Sequence, residues 1–88
     1  MGRLTDKVTV VTGAGAGIGR AIATTCHAEG AIVVVTDLDG AAAARVAAEL
    51  DALGDGRAVS YAVDVTDRAS VQAMVNGIVT AYGRIDVL

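Results

Sequence analysis

The chain has 88 residues, 53% of them hydrophobic, with 11 glycines and no proline, phenylalanine or tryptophan, which is typical of one small globular domain and excludes a disordered or collagen-like chain. Its formal charge of −3 and scattered basic residues argue against a nucleic-acid partner, and no apolar run approaches the ~18 residues that cross a bilayer. Because the single cysteine excludes an internal disulfide and the first residues show no signal peptide, we expect a cytoplasmic protein without a membrane partner.

Strand and helix patterns alternate along the whole chain. Runs rich in β-branched residues predict three buried strands, at Lys7–Thr12, Ala31–Thr36 and Arg57–Val65. Each run is followed by a segment with apolar residues at helical spacing, and Arg84–Leu88 predicts the start of a fourth strand. Strands joined by helices through short links predict right-handed crossovers, and therefore an α/β fold with a doubly wound parallel sheet.

The first helix carries an apolar stripe and two residues that could be mistaken for catalytic groups. Ile18, Ile22 and Cys26 recur at helical spacing, so we expect them to face the core, and Gly30 to end the helix. Cys26 and His27 are neighbours in sequence and point about 100° apart on a helix, so they cannot work as a nucleophile–base pair. We expect Cys26 in the core, and His27 at the surface near the negative end of the helix dipole.

The second and third helices show similar patterns. Val46, Leu50 and Leu53 form an apolar stripe on the second helix, which Gly54 and Gly56 close. Thr66 is the expected N-cap of the third helix, and Gly83 its end.

The chain ends inside the predicted fourth strand, which no helix follows. Parallel sheets are normally covered by helices on both faces, so we expect residues 1–88 to be the N-terminal part of a larger domain, consisting of three βα units and the start of a fourth strand.

Four glycines at alternate positions, Gly13 to Gly19, lie where the first strand gives way to the first helix. A helix N-terminus with backbone amides uncovered by side chains suits a phosphate, although a tight turn with close helix–strand packing would also use glycine. The P-loop spacing fails because no lysine follows, and the spacing G-x-G-x-x-G fails at its third glycine.

The spacing that does fit, Thr12-Gly13-x-x-x-Gly17-x-Gly19, resembles the cofactor loop of the short-chain dehydrogenase/reductase family. The resemblance extends over the chain through Val34–Asp37, Val63–Thr66 and Gly83–Leu88. It implies a Rossmann-type fold and an oxidoreductase that transfers hydride between a nicotinamide cofactor and an alcohol or ketone. It also implies that the Ile18 backbone amide reaches the cofactor pyrophosphate while the Ile18 side chain packs under the helix, and that the full-length parent is a homo-oligomer.

Asp37 follows the glycines by roughly the 20 residues at which an acid can accept hydrogen bonds from a ribose 2′-hydroxyl. A 2′-phosphate would be repelled there. Family members that prefer NADP usually carry a basic residue in the glycine loop or after the second strand, where this chain has Ala14, Ala16 and Leu38. The predicted cofactor is therefore NAD, with Leu38 also counted among the cofactor-binding residues. The alternative is a turn-forming or helix-capping aspartate, a role that Asp39 could fill instead.

Asp64 and Val65 lie at the end of the third predicted strand, on the same edge of the sheet. The resemblance implies that the Asp64 carboxylate meets the adenine amino group and that the Val65 amide meets a ring nitrogen. The alternative for Asp64 is an acid that favours the start of the third helix.

The family's catalytic Tyr-x-x-x-Lys motif is missing from this chain. Tyr61 is followed four residues later by Val65, and Tyr82 by Asp86. We therefore name no catalytic residue and no metal ligand, and expect the 88-residue chain alone to be inactive. Two alternatives stay open: a non-catalytic dinucleotide-binding fragment, and the N-terminal part of an S-adenosylmethionine-dependent methyltransferase. The methyltransferase pattern requires an acid where this chain has Val11.

Overall fold

The computed structural model describes residues 5–53 and 57–86. Strands and helices alternate in it as the sequence predicts. The elements are β1 (Val8–Val11), α1 (Gly17–Ala28), β2 (Ile32–Asp37), α2 (Gly40–Asp51), β3 (Arg57–Ala62) and α3 (Arg68–Tyr82). Within the described residues, no helix combines the length and the hydropathy that crossing a membrane would require.

The three strands form one parallel sheet in the order β1-β2-β3. Val8 of β1 pairs with Ile32 of β2, which pairs in turn with Arg57 of β3, and the β2–β3 ladder continues to Asp37 and Ala62. The prediction of a parallel sheet built from βα units is therefore confirmed.

Helices cover both faces of the sheet. Val33 and Val35 of β2 pack into a core with α1 and α2, whereas Val34 packs on the opposite face with Met74 and Ile78 of α3. Successive strand side chains point to opposite faces, so a continuous valine run can fill both cores at once. This two-sided arrangement confirms the doubly wound sheet.

The segment before the end of the chain lies beside β1. The Asp86 amide donates to the Val8 carbonyl at 2.9 Å, and the Val8 amide donates to the Asp86 carboxylate at 2.9 Å. The preceding carbonyl, of Lys7, accepts from the Ile32 amide, so Asp86 lies on the edge of β1 that faces away from β2. The predicted fourth strand would therefore extend the sheet on the far side of β1, although no strand is formed within residues 84–86 and its last two residues lie outside the described part.

Helix α1 packs through a different face from the one that its apolar stripe predicts. Ile18 is 80% exposed and Ile22 is 49% exposed, whereas Ala23 and His27 are buried. The expectation that Ile18 and Ile22 face the core was therefore wrong. The buried side begins at Gly19, where a Cβ would lie 2.8 Å from the Gly13 carbonyl carbon. Gly19 lets the start of the helix approach the loop at Gly13, Ala23 packs into the core with Val33 and Val35 of β2, and the isoleucines turn outwards.

The same choice of buried face explains the positions of Cys26 and His27 near the end of α1. His27 is 1% exposed, so its expected surface position was wrong. Cys26 is half-buried and packs against the α1–α2 core, and burial raises the pKa of its thiol.

Some predicted element ends also shift. Leu53 is exposed because α2 already ends at Asp51, and the two glycines expected to close α2 lie outside the described residues. The N-cap of α3 is Asp67 rather than Thr66, since the Asp67 carboxylate accepts from the Ala69 amide at 3.0 Å. Gly83 ends α3, as predicted, and it adopts the left-handed conformation.

Candidate functional site

The loop between β1 and α1 uses its glycines for two different physical reasons. Gly13 and Gly17 have φ angles of +63° and +62°, which side chains rarely tolerate, and nothing lies within 4 Å of the Cβ that either lacks. Gly15 and Gly19 have no positive φ but are crowded, since a Cβ on either would overlap neighbouring atoms. Packing therefore accounts for two of the four glycines, and backbone conformation for the other two.

The second strand fixes this loop in place. The Ala14 amide donates to the Thr36 carbonyl at 2.9 Å, and the buried Thr36 hydroxyl donates to the Val11 carbonyl at 2.9 Å. The loop therefore keeps its position over the carboxyl ends of β1 and β2.

The N-terminus of α1 is left open to an anion. Ala16 occupies the N-cap and has no side-chain acceptor, and the first turn contains no acidic residue. The hydrogen-bonding pattern of the helix begins with the Arg20 amide, which donates to the Ala16 carbonyl at 3.3 Å. The amides of Gly17, Ile18 and Gly19 precede this first helical bond. Such amides, together with the positive end of the helix dipole, can bind an anion.

Asp37 is the last residue of β2, and backbone amides hold both oxygens of its carboxylate. The Asp39 amide donates to Oδ1 at 3.0 Å and the Gly15 amide donates to Oδ2 at 2.9 Å. These bonds, that from Asp39 first, hold the pKa of Asp37 below its usual range. Asp37 does form a local turn, but it does not cap α2. Asp39 does that, by accepting from the Ala42 amide at 3.1 Å.

Asp64 lies two residues beyond the end of β3 at Ala62, so the prediction that the third strand continues to Val65 was wrong at its carboxyl end. Its Oδ1 accepts from the Thr66 hydroxyl at 2.6 Å and from the Thr66 amide at 2.9 Å. The hydroxyl bond is the larger of the causes that hold the pKa of Asp64 below its usual range. Asp64 thus shapes the turn that precedes α3, whereas the helix-start role that the sequence left as its alternative belongs to Asp67.

A cleft of about 390 Å³ opens at the carboxyl ends of the three strands. Six predicted site residues line it: Thr12, Gly13, Asp37, Leu38, Asp64 and Val65. Three further lining residues were missed: Thr36, Val63 and Thr66. Each directly adjoins a predicted residue in the sequence, and their position at strand ends was the signal that could have found them. Leu38 and Val65 expose 74% and 62% of their surface, and so supply apolar walls.

The other three predicted residues, Gly17, Ile18 and Gly19, do not line this cleft. The Ile18 side chain points outwards, which contradicts its expected position under the helix. Gly19 packs tightly against Gly13, which does line the cleft, so the open N-terminus of α1 adjoins it. What these residues can offer a ligand is their backbone amides.

The arrangement suits an elongated ligand with an anionic centre. The open helix N-terminus can bind negative charge, the Asp37 carboxylate can accept from hydroxyl groups, and the exposed Leu38 and Val65 can contact a flat apolar group. Among the described residues, no group of three or more histidine, cysteine or acidic side chains could hold a metal ion. The Tyr61 ring is packed beside Gly77 of α3, away from this cleft.

A doubly wound parallel sheet with a glycine-rich first crossover and an acid at the end of its second strand defines the class of Rossmann-type α/β domains. Within that class, the model of the short chain dehydrogenase family matches residues 7–88. The chain belongs to the short-chain dehydrogenase family, which decides against the methyltransferase alternative.

Individual relatives agree with this assignment. The chain is 46% identical over 86 residues to meso-2,3-butanediol dehydrogenase of Serratia marcescens. The matched region covers 98% of this chain and 33% of that protein. The crystal structure of hydroxysteroid dehydrogenase from Escherichia coli matches with a TM-score of 0.93 at 40% identity, covering 98% of this chain and 36% of that one. A metagenomic short-chain oxidoreductase in complex with NADP matches with a TM-score of 0.90 at 42% identity, covering 97% and 38%. The chain thus spans about a third of the length of these relatives.

Proposed function

We propose that this chain is the NAD-binding segment of an NAD-dependent short-chain oxidoreductase, whose full-length parent transfers hydride between nicotinamide and an alcohol or ketone. The observation that carries the proposal is the ionised Asp37 carboxylate at the edge of a cleft that adjoins the uncapped N-terminus of α1. The nicotinamide ring, when bound, supplies the hydride chemistry. The residues of this chain bind and orient the rest of the cofactor.

In this proposal the diphosphate lies at the start of α1. The amides of Gly17, Ile18 and Gly19 donate to its oxygens, and the helix dipole adds electrostatic attraction. Thr12 and Gly13 line the cleft beside the diphosphate, and the missing Gly13 side chain leaves open space there. The loop is anchored by Thr36, so little ordering is needed when the ligand arrives.

The adenosine half occupies the cleft between the ends of β2 and β3. Leu38 and Val65 supply the exposed apolar surfaces between which an adenine ring can lie. Asp64 carries an ionised carboxylate beside them and can accept from the adenine amino group, while the Val65 amide can donate to a ring nitrogen. Both proposed polar contacts are made to the edge of the adenine ring, and its faces lie against the two apolar side chains.

The preference for NAD over NADP depends on charge at the ribose. The Asp37 carboxylate can accept from the ribose hydroxyls but repels a 2′-phosphate, which carries about −1.5 to −2 charges. The neighbouring loop positions Ala14 and Ala16 offer no cation, and Arg20 forms an ion pair with Glu49 of α2. NADP is the competing cofactor, because one similar solved structure contains it.

The test is to titrate NAD and NADP into the wild type and into Asp37→Asn by calorimetry. Losing a charge-assisted hydrogen bond should weaken NAD binding by about 1.5–3 kcal/mol, roughly ten- to a hundredfold. Removing the repulsion should strengthen NADP binding by about 1–2 kcal/mol, since Asp37 is only half-buried and solvent screens its charge. The matched control is Asp39→Asn, which makes the same chemical change two residues away while keeping the α2 cap.

An equal loss of affinity for both cofactors in Asp37→Asn would contradict the assignment of this carboxylate. A wild type that binds NADP more tightly than NAD would replace the proposed cofactor.

The proposal gives this segment no chemical step. No catalytic residue is assigned, and we expect no turnover of an alcohol with NAD by the 88-residue chain. A cytoplasmic, homo-oligomeric parent belongs to the same proposal. The second candidate function is a dinucleotide-binding protein without catalysis. The sequence of the parent distinguishes the two candidates, because an oxidoreductase of this family would carry the tyrosine and lysine of the family motif outside residues 1–88.

A further inference from the structure

Gly15 is the one glycine of the loop that touches the proposed selectivity residue. Its amide donates to Asp37 Oδ2 at 2.9 Å, while the Asp39 amide donates to the other oxygen, Oδ1, at 3.0 Å. Each carboxylate oxygen has about two lone-pair positions, so the carboxylate keeps acceptor capacity for a ligand beside these two bonds and a weaker contribution from the Leu38 amide. The two amides thereby fix the plane in which the remaining lone pairs point.

Gly15 also leaves the carboxylate the space that it occupies. A Cβ added at Gly15 would lie 2.7 Å from Asp37 Oδ2 and 2.8 Å from Ala42 Cβ. Gly15 has no positive φ, so its backbone conformation would accept any residue. Crowding against Asp37 and Ala42 is therefore what requires a glycine at this position.

We propose that Gly15 is a positioning residue for cofactor selectivity: its amide and its missing side chain hold the Asp37 carboxylate where two ribose hydroxyls can donate to it. This inference rests on the proposed function. A side chain at Gly15 would push the carboxylate away from its amide partner and out of that orientation. NAD would then lose its charge-assisted hydrogen bonds, whereas NADP would be repelled less, so the ratio of the two affinities falls.

The experiment compares Ala42→Gly with the double variant Gly15→Ala/Ala42→Gly. Ala42→Gly removes one of the two close contacts that the new Cβ would make, so the double variant leaves chiefly the contact with Asp37 Oδ2. This pairing protects the test against simple misfolding from the Ala42 overlap. Ala42 lies in α2 outside the cleft, so the single variant keeps the wild-type ratio of NAD to NADP affinity.

Two measurements are made on each protein. Calorimetric titration should show the ratio of NAD to NADP affinity falling about tenfold in the double variant, equivalent to about 1.4 kcal/mol. Carbon-13 NMR of the Asp37 carboxyl should show its pKa rising towards the usual value, because the Gly15 amide no longer stabilises the ionised form. A general loss of stability would weaken both cofactors alike and leave the ratio unchanged.

The outcomes separate this inference from the proposed function. If the wild type prefers NAD and the double variant keeps both that preference and the low pKa of Asp37, the role of Gly15 is overturned while the proposed function survives. If the wild type does not discriminate between NAD and NADP, or if Asp37→Asn leaves its discrimination intact, both fail together. A lower ratio with a raised pKa supports the inference.

Discussion

Ala16 occupies the N-cap of α1 in an extended conformation, with φ −164° and ψ 168°, and its methyl group cannot accept a hydrogen bond from the amides that follow. Aspartate is among the best residues for this position. If the open amides serve an anionic ligand, replacing Ala16 with aspartate should have opposite effects on stability and on binding. The new carboxylate would stabilise the empty protein and occupy the site of the diphosphate.

The two magnitudes can be worked out from the local geometry. A good N-cap in place of alanine contributes about 1 kcal/mol to stability, and a negative charge at the helix N-terminus about 0.3–1 kcal/mol more. Binding should lose one charge-assisted hydrogen bond, about 1.5–3 kcal/mol. Repulsion between the new carboxylate and the diphosphate adds about 1 kcal/mol at this exposed site. We therefore expect NAD affinity to fall by about 3 kcal/mol, roughly a hundredfold.

Thermal unfolding and calorimetric titration with NAD measure the two effects in the same samples. Ala16→Asn separates capping from charge, because it supplies an acceptor but no repulsion, so its loss of affinity should be smaller. Ala73→Glu adds the same charge to an exposed position in the middle of α3 and should leave the affinity for NAD unchanged. If Ala16→Asp stabilises the protein and yet binds NAD as the wild type does, the diphosphate does not lie at this helix end.

Two further predictions concern the packing and the acid stability of the fold. Replacing the fully buried Ile78 with alanine should lower the free energy of unfolding, measured in urea, by about 3–4 kcal/mol. The same change at Ile22, which is 49% exposed, should lower it by about 1 kcal/mol. Equal losses would mean that the isoleucine stripe of α1 is buried after all. Hydrogen bonds hold the pKa values of Asp37, Asp64 and Asp86 below their usual range, so the stability that they contribute is complete above the unfolded pKa of about 3.9 and is lost as the pH falls further. Melting temperatures measured down a pH series should therefore drop in that acid range, and Asp86→Asn should make the drop shallower, whereas an unchanged slope would contradict the role of its bond to the Val8 amide.

The outline of the fold follows from patterns that are local in the sequence. Buried parallel strands appear as continuous β-branched runs, and the runs beginning at Lys7 and Ala31 do form neighbouring strands. Glycine spacing predicted the open helix start, and the predicted acids Asp37 and Asp64 both line one cleft. The two acids lie together because parallel strands bring their carboxyl ends to the same edge of the sheet.

The failures on α1 have a common cause, which is that a helix can bury a small-residue face instead of its most apolar face. Ile18 and Ile22 form the stronger stripe in the sequence, but Ala23 is the residue that packs into the core with Val33 and Val35 of the sheet. His27 follows Ala23 by one turn and is buried with it. Hydrophobic spacing measures the character of a face, whereas close approach to a sheet depends on how little that face protrudes.

By itself, the order of residues determined that the chain alternates strands and helices, that the sheet is parallel, that a glycine-rich crossover precedes α1, and that an acid stands at the end of the second strand. Only the tertiary structure decided which side of α1 is buried, that the Gly15 amide holds the Asp37 carboxylate, and that Thr36 anchors the loop. The physical reason is distance along the chain. Spacing within a strand or helix is set by backbone geometry, whereas contacts between residues more than 20 positions apart depend on how whole elements fit together.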